Sequence, residues 1–159
     1  MDKRRTRDDL DNIAAELLRL VDAVAAYKSS PAEFSPKVSP DWIIKNSITT
    51  ILQSVYTNLE NVLASILKGT DNYRPGGENF HRELLARAAA PIEQVREPLI
   101  SEPLKQHLVE LLGFRHVARK RYAQEIDLEL ALQNVDRAEI AVPMFAQEIE
   151  RFLLTQPDD

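Results

Sequence analysis

Cysteine is absent from the 159-residue sequence, which excludes a disulfide framework, a catalytic thiol and a metal site with cysteine ligands. No apolar run approaches the roughly 18 to 20 residues that a membrane-spanning helix needs. The basic start, MDKRRTRDDLDN, does not lead into the short apolar segment of a secretory signal. We therefore expect a cytoplasmic protein that does not contact a membrane.

Histidine is also scarce, since the chain has three. No pair among His81, His107 and His116 has the spacing of metal ligands on one helix. The Glu-x-x-His repeats that build di-iron sites in helical bundles are missing as well. We expect neither a metal site nor another cofactor.

The overall composition is that of a folded domain, with 44% hydrophobic and 28% charged residues. A chain of this length suits one domain with one core. We therefore expect a single helical domain over residues 1–159, with residues 1–6 and 155–159 frayed. The formal net charge of −5 means that the whole molecule repels polyanions. Contact with nucleic acid would therefore require a local basic patch.

The periodicity of the apolar residues predicts helices. They recur at intervals of three and four residues, and we find no alternating runs joined by two-residue turns. This pattern predicts an all-α fold, an up-and-down bundle of four or five helices. The predicted helices run from about Arg7 to Ala26, Pro40 to Lys68, Glu78 to Ala89, Ser101 to Glu125 and Asp127 to Leu154.

Local signals mark the ends of these helices. Ser39, Ser101 and Asp127 are predicted N-caps, and Gly69 is a predicted C-terminal stop. Pro143 should kink the last helix. The segment YKSSPAEFSPKVSP contains three prolines and predicts an extended connection between the first two helices. The strongly apolar second helix fits either a central core helix or a dimer seam.

The segment LVELLGFRHVARKRYAQEID, residues 108–127, carries an apolar stripe into a row of cations. At about 100° per residue, Arg115, Arg119 and Tyr122 continue the side of the helix that bears the leucines, with His116 at its margin. Buried guanidinium groups without partners cost several kcal/mol. This part of the stripe must therefore face acidic residues, an interface, or a cleft that accepts anions.

Two interpretations of the cationic stripe remain open. Arg115 and Arg119 could pair with acidic residues of a neighbouring helix, such as Glu60 or Asp71. Alternatively, the two guanidinium groups grip phosphate while His116 exchanges protons near neutral pH. Arginine and histidine together suffice for metal-independent cleavage of RNA, in which the 2′-hydroxyl attacks the adjacent phosphorus.

Several neighbouring residues bear on the same question. Lys120 and Arg121 would add RNA-binding charge, and mid-helix Gly113 would permit close approach by another backbone. The segment RPGGENFH spaces Arg74 and His81 six residues apart, but on a predicted turn. We interpret that spacing as a coincidence and His81 as a residue that anchors or caps the short helix. The alternative that His81 borders the cleft stays open.

Three segments resemble a known family. GFRHVARKRY, VYTNLE and RPGGENFHRELL are similar to segments of the HEPN superfamily, in particular its HepT-like branch of ribonuclease toxins. The resemblance covers residues 40–154 and implies a helical bundle that dimerises and is paired with a nucleotidyltransferase antitoxin. It implies a phosphate role for Arg115, an acid–base role for His116, and the position of the modifiable tyrosine for Tyr122.

The sequence departs from the superfamily pattern at one point. The shared pattern is arginine followed, after four to six residues, by histidine on the same helix. The only histidine after Arg115 is the adjacent His116, and Lys120 stands where the pattern expects a histidine. Lysine, with an unperturbed pKa near 10.4, is a poor general base at neutral pH. Three readings therefore stay open: an endoribonuclease that relies on His116, a noncatalytic module that binds a nucleotidyltransferase or its nucleotide, and a structural bundle with internally paired arginines.

Overall fold

The computed structural model describes residues 1–30, 39–122 and 125–157. Within these ranges the chain forms five helices, and the only strand-like pairing is an isolated bridge between Ile92 and Arg96. The all-α bundle predicted from periodicity is therefore confirmed. The helices are α1 (Lys3–Ser29), α2 (Pro40–Asp71), α3 (Phe80–Ala89), α4 (Glu102–Lys120) and α5 (Leu128–Thr155).

The N-terminal ends of the helices follow the capping signals. The Ser101 hydroxyl accepts a hydrogen bond from the Leu104 amide, and the Asp127 carboxylate accepts one from the Glu129 amide, so both predicted N-caps are confirmed. Ser39 occupies the N-cap position of α2 without a side-chain hydrogen bond. These caps satisfy amide groups that have no partner inside the helix.

Two predicted C-terminal ends are wrong. Helix α2 passes Gly69 and ends at Asp71, because Asn72 adopts the left-handed conformation (φ 51°, ψ 25°) that asparagine tolerates. Helix α4 ends at Lys120 rather than near Glu125, because Arg121 is extended. Tyr122 therefore does not continue the helical face of Arg115.

Three further predictions concern α1, the connection that follows it, and Pro143 of α5. Helix α1 is longer than expected, with Asp2 as its N-cap. Most of the predicted extended connection, residues 31–38, lies outside the described residues. Helix α5 continues through Pro143, and the kink there stays a prediction.

Helix α2 is the centre of the bundle. It packs against α1, α3, α4 and α5, and its apolar stripe is buried within the chain. Helix α2 is therefore a central core helix, which is one of the two possibilities predicted from its apolar surface. A central helix buries side chains in several directions. None of the helices in the described part of the chain is long and apolar enough to cross a membrane.

A buried ionic cluster fastens the end of α2 to the segment that follows α3. The Asp71 carboxylate accepts hydrogen bonds from Arg96, Arg87 and Thr70. The Asp71 and Arg96 side chains are 0% and 1% exposed. Arg96 also donates to the backbone carbonyls of Arg87, Ala90 and Glu97. The cluster thereby holds the C-terminal end of α3 against α2.

Candidate functional site

Residues from three helices meet at one side of the bundle. Helix α2 contributes Tyr56 and Glu60, α3 contributes His81, and α4 contributes Arg115 and His116. We call this group the Arg–His cluster. Its members come from the three segments VYTNLE, RPGGENFHRELL and GFRHVARKRY, so the fold brings together the parts of the sequence that carry the family resemblance.

Glu60 and His81 form the most buried contact of the Arg–His cluster. The Glu60 Oε2 and His81 Nδ1 atoms are 2.6 Å apart, and the two side chains are 8% and 14% exposed. His81 lies in the first turn of α3 and packs against the ring of Phe80, with the ring centroids 3.8 Å apart. His81 therefore anchors α3 to α2, as predicted, and its partner is a carboxylate.

Arg115 lies beside the other nitrogen of His81. Its Nη1 is 3.5 Å from His81 Nε2, and its Cζ lies 5.9 Å from the centroid of the Tyr56 ring, within cation–π range. When His81 is neutral with Nδ1–H donating to Glu60, its Nε2 lone pair can accept from this guanidinium, whereas in the imidazolium form both ring nitrogens are donors. The side chain is half-buried and keeps N–H donors for an anion.

The acidic residues proposed as partners for the arginines are used elsewhere. Glu60 is bound to His81, and Asp71 is bound to Arg87 and Arg96. Across residues 1–30, 39–122 and 125–157, neither Arg115 nor Arg119 forms an ion pair with an acidic side chain. The interpretation with Glu60 or Asp71 as salt-bridge partners is therefore wrong for this part of the chain.

The ring of Tyr56 packs against the guanidinium of Arg115. The residue is 1% exposed, and its hydroxyl has no hydrogen-bond partner among the described residues. Burial raises the pKa of the Tyr56 hydroxyl, and the negative charge of Glu60 raises it further. Tyr56 is therefore a neutral phenol, and its ring face is the part that meets the guanidinium.

His116 lies at the solvent side of the Arg–His cluster. Its ring meets that of His81 edge-on, with the centroids 5.8 Å apart. Partial burial lowers the pKa of His116, and the positive charges of His81, Arg115, Lys120 and Arg119 lower it further. The imidazole is therefore mainly neutral at neutral pH and can accept a proton.

The end of α4 forms an exposed cationic surface. Arg119, Lys120 and Arg121 are all exposed, and Tyr122 is 75% exposed just beyond the helix. These four residues keep their side chains in solvent, so they are accessible to a large ligand. The structure places them next to Arg115 and His116 along the chain but outside the buried part of the Arg–His cluster.

Sequence reasoning considered Glu60 as a partner for the arginines and His81 as a residue at the border of the cleft, but it missed the contact between Glu60 and His81. The available signal was the family-like segment FHRELL, which places His81 in the first turn of an amphipathic helix. Arg74 is exposed in the preceding turn and has no hydrogen bond or ion pair with His81 in the described ranges. The spacing of Arg74 and His81 thus does not correspond to a contact.

Two further candidates lie away from the Arg–His cluster. His107 contacts Arg137 of α5, at 3.4 Å between Nδ1 and Nη1. Gly113 is exposed on α4, and a Cβ atom added there would meet nothing within 4 Å, so none of the described residues outside its own helix approaches it closely. Among the residues that the structure describes, no group of three or more potential ligands could hold a metal ion.

Comparison with known proteins identifies the family. No curated protein and no solved structure matches the chain. A family model described as HepT-like protein matches residues 47–155, which is more than half of the sequence and includes every member of the Arg–His cluster. The chain therefore belongs to the HepT-like protein family.

Proposed function

We propose that this HepT-like protein is a metal-independent endoribonuclease, the toxin of a toxin–antitoxin pair whose antitoxin is a nucleotidyltransferase. The proposal rests on the side chains that surround Arg115. It lies beside two imidazoles, at His81 and His116, and no acidic side chain of the described residues neutralises it. A guanidinium with free donors beside imidazoles can hold a phosphodiester and move its protons.

The proposal gives each residue a distinct role. Arg115 binds the phosphate and offsets the charge that grows on it during cleavage. His116, exposed and mainly neutral, exchanges protons with the reacting oxygens. Arg119, Lys120 and Arg121 bind neighbouring phosphates of the RNA strand, which offsets the repulsion expected from the net charge of −5.

The proposal also includes two protein contacts. The cationic surface at the end of α4 is exposed, so a second copy of the chain can meet it and form a shared cleft in a homodimer. Tyr122, at 75% exposure, is accessible to a nucleotidyltransferase partner that binds or modifies it. We place both contacts in the cytoplasm.

The competing proposal is a catalytically inactive module that binds a nucleotidyltransferase or its nucleotide. The observation in its favour is that no histidine stands four to six residues after Arg115, where Lys120 is found instead. Both proposals use the same cationic surface. They differ in whether RNA is cut.

RNA cleavage by the purified protein in EDTA tests the proposal. We expect cleavage by the parent protein and losses of about 10²- to 10⁴-fold in the Arg115→Ala and His116→Ala variants. The His107→Ala variant is the matched control, since His107 lies on the same helix and contacts Arg137 instead. Circular dichroism checks that each variant is folded. An inert parent that still binds a nucleotidyltransferase or nucleotide would support the competing proposal.

A further inference from the structure

We propose that His81, held by Glu60, is the second acid–base residue of the cleavage reaction, donating a proton to the leaving 5′-oxygen while His116 accepts the proton of the attacking 2′-hydroxyl. This inference rests on the proposed function and assigns a second imidazole, since no histidine stands four to six residues after Arg115. In this protein the second imidazole comes from α3, across the helix interface, and not from the helix that bears the arginine.

The contact with Glu60 gives His81 a defined orientation. A carboxylate 2.6 Å from Nδ1 fixes the ring and leaves Nε2 as the nitrogen that exchanges protons. Nε2 faces Arg115, at 3.5 Å from Nη1, so the exchanging nitrogen lies beside the group proposed to hold phosphate. The ring of His116 is 5.8 Å away, which is close enough for both imidazoles to act on one phosphodiester.

A purely structural role for His81 as the link between α3 and α2 would need only the Nδ1 side of its ring. The Nδ1 contact with Glu60 is enough to attach the start of α3 to α2, and the buried cluster of Asp71, Arg87 and Arg96 already attaches its other end. The Nε2 side adds nothing to the link with α2 and contacts Arg115 of α4 instead. Its position next to Arg115 and His116 is the feature that points to chemistry.

The charges around each ring decide which histidine donates the proton. His81 faces the Glu60 carboxylate on α2, and it faces Arg115 and His116 on α4. His116 faces His81 on α3 and the cations Arg115, Arg119 and Lys120 of its own helix. A protonated His81 forms an ion pair with Glu60, whereas a protonated His116 has cations on several sides. We therefore assign the role of proton donor to His81 and the role of proton acceptor to His116.

The reaction then balances without a metal or a co-reactant. His116 takes the proton from the 2′-hydroxyl as the 2′-oxygen forms a bond to phosphorus. The bond between phosphorus and the 5′-oxygen breaks, and the His81 imidazolium gives its Nε2 proton to that oxygen. The products are a 2′,3′-cyclic phosphate end and a 5′-hydroxyl end, and water returns the proton from His116 to His81.

A leaving group that needs no proton distinguishes the two roles. The experiment compares an RNA oligonucleotide with the same oligonucleotide carrying a 5′-bridging phosphorothiolate at the mapped cleavage site. Because the sulfur leaves as a thiolate without protonation, loss of a proton donor matters only for the oxygen substrate. The variants are His81→Asn, Glu60→Gln and His116→Asn, with His107→Asn as the matched control.

We expect His81→Asn to cut the oxygen substrate about 10²- to 10⁴-fold more slowly and to recover most of that loss on the sulfur substrate. Glu60→Gln keeps a hydrogen-bond acceptor for Nδ1 but removes the charge, so we expect a smaller loss with the same recovery. His116→Asn should lose activity on both substrates. Glu60 is a positioning residue in this scheme, and Glu60→Gln keeps the test decisive if His81→Asn does not fold.

Two adverse results can be told apart. If the parent cleaves RNA but His81→Asn and Glu60→Gln slow both substrates equally, His81 is structural, and the inference fails while the proposed function stands. If the parent cleaves neither substrate, the proposed function itself fails, and the role of His81 fails with it.

Discussion

Replacing Arg96 by methionine tests whether the buried ionic cluster supports the bundle. Methionine keeps the unbranched apolar stem of the side chain and removes all five N–H donors of the guanidinium. The Asp71 carboxylate would then stay buried with only Arg87 and Thr70 as donors. Removing one partner of a buried pair typically costs about 3–5 kcal/mol, because the other charge is left incompletely compensated. We expect a loss of unfolding free energy in that range.

The geometry of the cluster accounts for this magnitude. Arg96 uses every donor: Nε and Nη2 bind the two Asp71 oxygens at 2.8 Å, and Nη1 and Nη2 bind the backbone carbonyls of Ala90, Glu97 and Arg87 at 2.9, 3.1 and 2.9 Å. The Asp71 oxygens accept four hydrogen bonds in all. The substitution therefore removes five hydrogen bonds from two side chains that are almost fully buried.

Urea denaturation and thermal melting measure the loss. For a chain of this length about 1 kcal/mol corresponds to roughly 2–4 °C in Tm, so the Arg96→Met variant should melt about 6–20 °C below the parent. The control is Arg82→Met on the exposed side of α3, where we expect a change within about 0.5 kcal/mol. A loss below about 1 kcal/mol for Arg96→Met would refute the reasoning.

Acid sensitivity gives a second readout of the same cluster. Burial by itself would raise the pKa of the Asp71 carboxyl, but the hydrogen bonds from Arg96, Thr70 and Arg87 outweigh burial and lower it. The folded protein therefore binds this proton less tightly than the unfolded chain does. The stabilisation is present above about pH 4 and is lost as the pH falls further. We expect Arg96→Met to lose less stability over that acidic range than the parent.

Two further predictions follow from α4. The Gly113→Ala substitution should raise the unfolding free energy by about 0.8–1 kcal/mol, because the position is helical and exposed and an added Cβ atom would meet nothing within 4 Å. A lower Tm for this variant would contradict the prediction. In an NMR titration the pKa of His116 should lie below its ordinary value of 6.5, because burial lowers it and nearby positive charges lower it further, those of His81, Arg115, Lys120 and Arg119. The pKa of His116 should rise in the His81→Asn variant, which removes one of these charges. A midpoint at or above 6.5 in the parent would rule out this account of its surroundings.

Much of the fold was accessible from local signals. The three- and four-residue periodicity predicts the helices, and the caps at Ser101 and Asp127 depend on atoms within three residues of each other. Arg115 and His116 are adjacent on one helix, so the sequence alone placed these two members of the Arg–His cluster together. The end of α2 was less predictable, since Gly69 is tolerated inside the helix and Asn72 ends it.

The completion of the Arg–His cluster depended on tertiary structure. Glu60 and His81 are 21 residues apart, His81 and Arg115 are 34 apart, and Asp71 and Arg96 are 25 apart. No periodicity or capping rule links positions at such separations. The sequence by itself determined which side chains carry charge and which helices bear them. Only the packing of α3 and α4 against α2 decided that Glu60 binds an imidazole, that Asp71 binds Arg96, and that Arg115 keeps donors for an anion. The reason is that each acidic group pairs with the basic side chain that the bundle brings within hydrogen-bond distance.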